Sequence, residues 1–326
     1  MCLQDSTIPV KSIIDHLCPL FRFMRDSKAY SGYLFALLAT IIWSGNFIVA
    51  RDLKTTFSPV SISYFRWLIA TAVILPFAFS HLKRDMSLIL TQWRLMLVLS
   101  FTGITIFNSL IYLAAQTSSA FNLSLFAITA PLYVVLFNWL FYKEKITIKQ
   151  TIGFAVLLVG LLTLLSKGNP EKILDLEFNK GDLLMAGAAS IFAFYSVLLK
   201  KKNPAIGNLS FVAATIILGV TLLTPFFLIE IMSPTVTLEF SLPSILQLIY
   251  IGVGPSVISY YLWNRSVVEI GSTKAATIYN TLPVFSAFFG ALILKESVLA
   301  IQVVSTVVIV GGILLVLFGK EVQNKT

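Results

Sequence analysis

Residues 119–165 and 271–317 of this chain are two copies of one segment, set apart by a constant offset of 152. Pro131 aligns with Pro283, Thr129 with Thr281, Lys143-Glu144 with Lys295-Glu296, Gln150 with Gln302, and Gly160 with Gly312. Each copy is an apolar stretch, a short Lys-Glu break and a second apolar stretch. A long hydrophobic chain built as a duplication points to a membrane fold assembled from internal repeats.

The solvent of that fold follows from its charge content. Of 326 residues, 57% are hydrophobic and only 12% charged, with a mean hydropathy of +0.88. A soluble domain carries roughly 25% charged residues. A surface this poor in charge belongs in lipid. The net charge of +9 then reflects basic cytoplasmic loops, and no basic stripe interleaved with aromatics marks a nucleic-acid partner. Cys2 and Cys18 precede the first apolar span, and His16 and His81 lie outside the spans. They offer neither a disulfide framework nor a metal site. No Gly-rich phosphate loop, nucleophile elbow or paired His is present, so no enzyme activity and no cofactor are expected. Residues 1–30 read as a cytoplasmic tail with a short surface helix from Ile13 to Met24, since they lack the apolar core and cleavage site of a signal peptide.

A crossing helix needs about 20 apolar residues. Ten such spans are predicted, at 31–50, 59–79, 94–114, 119–141, 147–166, 182–200, 208–230, 244–263, 273–294 and 299–318. With the N-terminus inside, 17 Lys and Arg fall on the inner side and 6 on the outer. That bias places both termini in the cytoplasm. Five spans per half is an odd number, so the second half sits upside down relative to the first. An inverted repeat has two nearly equivalent packings, one open to each side, which is the physical basis of alternating access in secondary transporters. The expected fold is all-α: residues 31–166 and 182–318 as two inverted five-helix repeats behind the tail.

None of the fifteen Asp and Glu residues falls near the middle of a span; Asp52, Asp182, Glu144, Glu230 and Glu296 lie at ends and Glu269 in a loop. This argues against a proton relay through a buried carboxylate. Arg66 is the one cation inside a span. Burying it costs several kcal/mol, and two readings stay open: it snorkels or ties backbone carbonyls of neighbouring helices, or it meets a carboxylate of the solute.

Polar and aromatic residues recur at helical spacing inside the spans. Asn108 and Tyr112 share a face of the third, Asn122, Phe126 and Thr129 of the fourth, and Thr277 and Asn280 of the ninth. Trp43 pairs with Asn46 in the first, Phe192 with Tyr195 in the sixth, and Tyr260 with Trp263 in the eighth. Such faces can line a central cavity, because polar groups in lipid need partners. The alternative is helix–helix hydrogen bonding and interfacial anchoring. Asn46, Asn122 and Trp263 are expected on the cavity wall. Gly153, Gly160, Gly311 and Gly312 suit close helix packing, between repeats or in a homodimer. Pro131, Pro225, Pro255 and Pro283 lie within predicted spans, and Pro131 and Pro283 are expected to act as matched kinks.

These motifs resemble a known family. Ile41-Ile42-Trp43-Ser44-Gly45-Asn46-Phe47, then Ser58-Pro59 and Arg66, then the Pro and closing Lys-Glu of the fourth and ninth spans are similar to the EamA-type branch of the drug/metabolite transporter superfamily. The resemblance covers residues 31–318; Phe192-Ala193-Phe194-Tyr195 departs from the first-helix pattern. It implies a bacterial inner-membrane carrier of a small metabolite, expected to be an amino acid or related amphipathic compound. The expected site is Trp43, Asn46, Arg66, Asn108, Tyr112, Asn122, Phe126, Tyr195, Tyr260, Trp263, Thr277 and Asn280. An exchanger or importer of a cofactor-like metabolite such as S-adenosylmethionine, and a non-transporting scaffold or lipid-handling subunit, are the alternatives.

Overall fold

The structure is a computed structural model that describes residues 10–118, 123, 126–127, 129–166, 168–169, 171, 180–294 and 300–317. Helices account for almost all of them: α1 Val10–Leu53, α2 Pro59–Thr91, α3 Trp93–Thr117, α4 Ala130–Tyr142, α5 Ile148–Leu165, α6 Lys180–Lys201, α7 Asn208–Ile231, α8 Leu242–Ile270, α9 Ser272–Tyr279, α10 Leu282–Leu294 and α11 Ala300–Leu317. Six of these segments are long and apolar enough to cross a membrane: Tyr30–Ala50 within α1, and α2, α3, α6, α7 and α8. Ala130–Tyr142, Ile148–Gly160 and Val307–Val316 are shorter apolar helices. Phe77, Ile229 and Val307 stand exposed on the outside of the bundle, as lipid-facing side chains do.

Several expected boundaries are corrected. The tail helix does not stop at Met24 but runs unbroken into the first span. Helix α2 continues to Thr91 through residues expected to form a loop, because 80–91 hold no Gly or Pro to stop it. Helix α8 runs to Ile270, so Glu269 is helical. Pro131 and Pro283 are not kinks: each is the second residue of its helix, α4 and α10. Proline costs nothing there, since the first helical N–H groups have no partner within the helix. The breaks lie just before them, with Asn280 and Thr281 separating α9 from α10. Asn122, Lys295 and Glu296 lie outside the described residues.

Two devices set the ends of the first Lys-Glu break. Lys143 adopts φ 55° and closes α4. Thr147 and Gln150 then bond each other's backbone N–H, at 3.2 Å and 3.0 Å, and open α5.

Packing is pairwise and antiparallel. Helix α2 lies on α7, and each carries a carboxylate that caps the other's N-terminus. Glu230 accepts from the N–H of Val60 at 2.9 Å and of Ser61 at 2.6 Å. Asp85 accepts from Gly207 N–H at 3.0 Å and the Ser210 hydroxyl at 2.6 Å. Negative charge at a helix start is favourable because the unpaired N–H groups point at it. Nearby, burial pushes the Lys202 ammonium below its ordinary value, opposed by Asp85. Helix α5 packs backbone to backbone on α11, where a Cβ on Gly153 would meet Gly312 O at 2.9 Å and one on Gly160 would meet Ile309 N at 2.9 Å. Helix α1 packs on α8, and α3 on α6. The largest buried cluster fills the space among α1, α2, α3, α6, α7, α8 and α9.

Candidate functional site

At the centre the helical ladder is broken twice. Helix α3 passes through a π-helical turn at Phe101–Ile106 and α8 through one at Gly252–Ile258. These windows stand 151 residues apart at their starts. A π turn misaligns backbone carbonyls and leaves some open to side-chain donors, and such turns concentrate at functional sites. In α8 the carbonyl of Pro255 accepts from Trp43 Nε1 of α1 at 2.8 Å and from Arg66 Nη2 of α2 at 3.2 Å. In α3 the carbonyl of Gly103 accepts from Asn108 Nδ2 at 3.1 Å and from the Tyr260 hydroxyl at 2.5 Å.

Arg66 is only 1% exposed. Its Nε donates to the Ser256 hydroxyl at 2.5 Å, and its Nη1 to the Tyr112 hydroxyl at 3.0 Å and Asn46 Oδ1 at 3.4 Å. Tyr112 also donates to Asn46 Oδ1 at 3.3 Å. The guanidinium lies 5.0 Å from the centre of the Trp67 ring. Among the described residues the ion pairs are Arg84–Asp85, Lys200–Glu144 and Arg265–Glu269. Arg66 therefore has neutral partners alone: hydroxyls, an amide oxygen and a carbonyl. Four neutral acceptors already serve its five N–H donors, so what the buried cation lacks is a counter-charge, which a carboxylate would supply.

Beside the arginine stands a box of rings. Trp43 lies 5.6 Å from Phe192, 5.7 Å from Tyr260, 5.4 Å from Trp263 and 5.8 Å from Tyr279, centre to centre. A cavity of about 20 Å³ remains between the box and the arginine, lined by Trp43, Asn46, Arg66, Phe107, Asn108 and Phe192 among others. That is room for one water, so the centre is closed around itself.

Of the sequence-predicted residues, Trp43, Asn46, Arg66 and Asn108 line this cavity. Tyr112 and Tyr260 bond directly to members of that group. Tyr195 and Trp263 are fully buried behind it: Tyr195 donates to Asn264 Oδ1 at 2.7 Å and Trp263 Nε1 to the Ser196 hydroxyl at 3.1 Å. Thr277 bonds back to the Thr273 carbonyl of its own helix at 2.8 Å. Asn280 is buried at the α9–α10 break. Phe126 packs half-buried against the core. Sequence reasoning left Phe107, Tyr279 and Ser256 out of the site. Ser256 had a signal: it follows Pro255, and a proline inside a span frees backbone groups that something must bond.

A second, wider space opens at one end of the bundle. About 460 Å³ in volume, it is lined by Asn138, Glu144, Lys145, Lys200, Glu269 and Thr273 among others. Its inner wall is Asn138, 2% exposed, whose Nδ2 donates to the hydroxyls of Ser272 at 3.2 Å and Thr273 at 3.0 Å. Lys200 Nζ bridges Asn138 Oδ1 at 3.0 Å and Glu144 Oε1 at 2.7 Å.

The sequence matches the model of the EamA-like transporter family twice, over residues 30–166 and 179–318. A protein of Archaeoglobus fulgidus described as an uncharacterized transporter is 25% identical over 284 residues, 87% of this chain and 96% of its own length. The uncharacterized transporter YetK of Bacillus subtilis is 24% identical over 300 residues, 90% of this chain and 89% of its own. The S-adenosylmethionine/S-adenosylhomocysteine transporter of Chlamydia trachomatis serovar L2 is 25% identical over 268 residues, 80% of this chain and 81% of its own. A crystal structure superposes with a TM-score of 0.68 at 20% identity, covering 88% of this chain and 97% of that one, and so shares the fold.

Proposed function

The chain belongs to the EamA-like transporter family, and from that premise we propose that it carries a small carboxylate-bearing metabolite across the plasma membrane by alternating access. The solute of this reading is an amino acid or a related amphipathic compound. Its carboxylate meets Arg66, and its flat or cationic part lies against the box of Trp43, Phe192 and Tyr279. The observation that carries the reading is Arg66: a buried guanidinium whose partners among the described residues are all neutral.

The architecture of this reading is ten crossings in two inverted repeats, residues 31–166 and 182–318, with both termini in the cytoplasm of a bacterial cell. Three features support it. The helix pairs are antiparallel, the π turns start within one residue of the repeat offset, and the contact of α1 with α8 is matched by that of α6 with α3. Gly153 of α5 and Gly312 of α11 face each other within one chain, which favours a role between repeats; a homodimer is not needed to use them.

The test is counterflow in proteoliposomes after a thermal-shift screen over amino acids and nucleosides. A ligand at a hundredfold its dissociation constant stabilises by about 2.7 kcal/mol. The wild-type protein should exchange the ligand found, and Arg66→Gln should not, at equal abundance in the vesicles. Equal exchange by the two proteins refutes the assignment of Arg66. No exchange by the wild type turns the choice to the scaffold.

A second reading is exchange of an S-adenosylmethionine-like solute. It is favoured by the name of the Chlamydia trachomatis relative and by the ring box, which suits a sulfonium and a flat purine.

A further inference from the structure

The central cavity holds about 20 Å³, while the space at the Lys200 end holds about 460 Å³. The larger volume lies within the roughly 300–1,000 Å³ typical of small-molecule sites. Its walls are polar, and their charges are unequally committed. Glu269 is already engaged by Arg265 Nε at 2.9 Å and the Ser31 hydroxyl at 2.7 Å. The Glu144 carboxylate is engaged by Lys200 alone among the hydrogen bonds described, and its side chain is 47% exposed. Lys200 is the better buried partner, 24% exposed, anchored from below by Asn138 and lying 5.1 Å from the Tyr142 ring. An ion pair with one half-exposed member adds little net stability, because water already solvates its charge. A carboxylate arriving from solution can therefore replace Glu144 on a lysine that is already positioned.

We propose that this vestibule is a second solute site, which takes a small carboxylate-bearing molecule on Lys200 by displacing Glu144. The proposal rests on the carrier reading and adds a waiting position to it. Asn138 holds the Lys200 ammonium from behind and bonds the start of α9 through Ser272 and Thr273. Displaced Glu144 lets go of α6, and its tether to α4 is the turn at Lys143, a residue already in the left-handed region. The Lys143-Glu144 pair is thus a latch between α4 and α6 that the solute itself opens. No substrate need reach Arg66 for this exchange to occur.

The test uses the full chain in nanodiscs, with Cys2 and Cys18 replaced by Ser and a reporter thiol at the half-exposed vestibule residue, Ile146→Cys. The rate of labelling by a charged maleimide is read in chloride, acetate, L-methionine and L-methionine amide at constant ionic strength. Acetate and methionine should slow labelling about tenfold at ten times their dissociation constants, and the amide, which lacks the carboxylate, should not. Lys200→Gln should abolish the protection and Arg66→Gln should preserve it. Absence of protection by either carboxylate, equal protection by the amide, survival of protection in Lys200→Gln, or its loss in Arg66→Gln overturns the proposal. Counterflow on the same preparations separates the two readings. Protection without flux counts against the carrier and leaves the site; flux without protection counts against the site and leaves the carrier.

Discussion

Asn108 donates from Nδ2 to the hydroxyl of Tyr260 at 3.1 Å, and the two residues stand one repeat offset, 152 positions, apart. Equivalent positions of two related halves can touch only beside the axis that relates them. The contact therefore supports the proposed inverted repeat, and it puts α3 and α8 at its centre. The two side chains are different, Asn against Tyr, so the symmetry of the backbone is broken where the solute would sit. Both bond the Gly103 carbonyl that the π turn exposes.

Tyr260→Phe removes a donor from that carbonyl and an acceptor from Asn108 Nδ2, two hydrogen bonds in all. The carbonyl and the amide keep each other as partners, so the loss is about 2 kcal/mol, the worth of two ordinary hydrogen bonds. A melting curve of the purified protein should fall by several degrees. A collapse of the fold would mean that Tyr260 carries far more than these two bonds.

Ser256 connects the arginine to the π turn of α8. Its hydroxyl donates to the Ile251 carbonyl at 2.7 Å and accepts from Arg66. A carboxylate that draws the guanidinium away from Ser256 and Pro255 loosens the α8 turn. Ser256→Ala breaks that link while leaving Arg66 its other partners. We expect solute binding within a few-fold of wild type and a maximal exchange rate lowered on the order of tenfold, since losing a hydrogen bond to a charged group costs about 1.5–3 kcal/mol. Ser256→Thr should restore the rate. Reduced affinity with an unchanged rate would contradict the link.

Trp263 shows how burial changes a reading. On the sequence it belongs to the cavity wall, where truncation would spare folding. In the structure it is fully buried, with its ring 5.1 Å from Phe192 and 5.9 Å from Tyr279. Trp263→Ala should cost about 3–5 kcal/mol, as large-to-small changes in packed cores do, and lower the amount of protein in the membrane. Trp263→Phe keeps the ring contacts and loses the Ser196 bond; it should express and exchange near wild-type levels. If Trp263→Ala expresses normally and only transport fails, the residue touches solute after all.

Helices were legible because a helix in lipid must satisfy its own backbone, so apolar runs mark helices; among the described residues six are long and apolar enough to cross a membrane. Trp43, Asn46, Arg66 and Asn108 were legible as a group because buried polar groups need partners, and the structure gathers them around one small cavity. What the sequence hid is set by tertiary contact. Pro131 and Pro283 look like kinks until the chain before each is seen to break. The continuation of α2 to Thr91 carries Asp85 to the start of α7, and no periodicity encodes that contact. The Glu144–Lys200 pair joins residues 56 positions apart, beyond any local pattern.

Gly311 and Gly312 are neighbours in sequence with opposite surroundings, which makes them a matched pair for testing the contact of α5 with α11. A Cβ on Gly312 would lie 2.6 Å from Leu157 N and 2.9 Å from Gly153 O, both backbone atoms that cannot swing aside. A Cβ on Gly311 meets nothing within 4 Å. Gly312→Val must push the two helices apart and forfeit the close packing that binds them without a hydrophobic drive; overpacking of this kind costs about 1–3 kcal/mol. Gly311→Val carries the same helix-propensity change with no clash. We expect Gly312→Val to melt several degrees below Gly311→Val, with Gly311→Val near wild type. The comparison cancels expression, detergent and propensity effects, so equal melting temperatures would remove the α5–α11 contact from the list of what holds the two copies together.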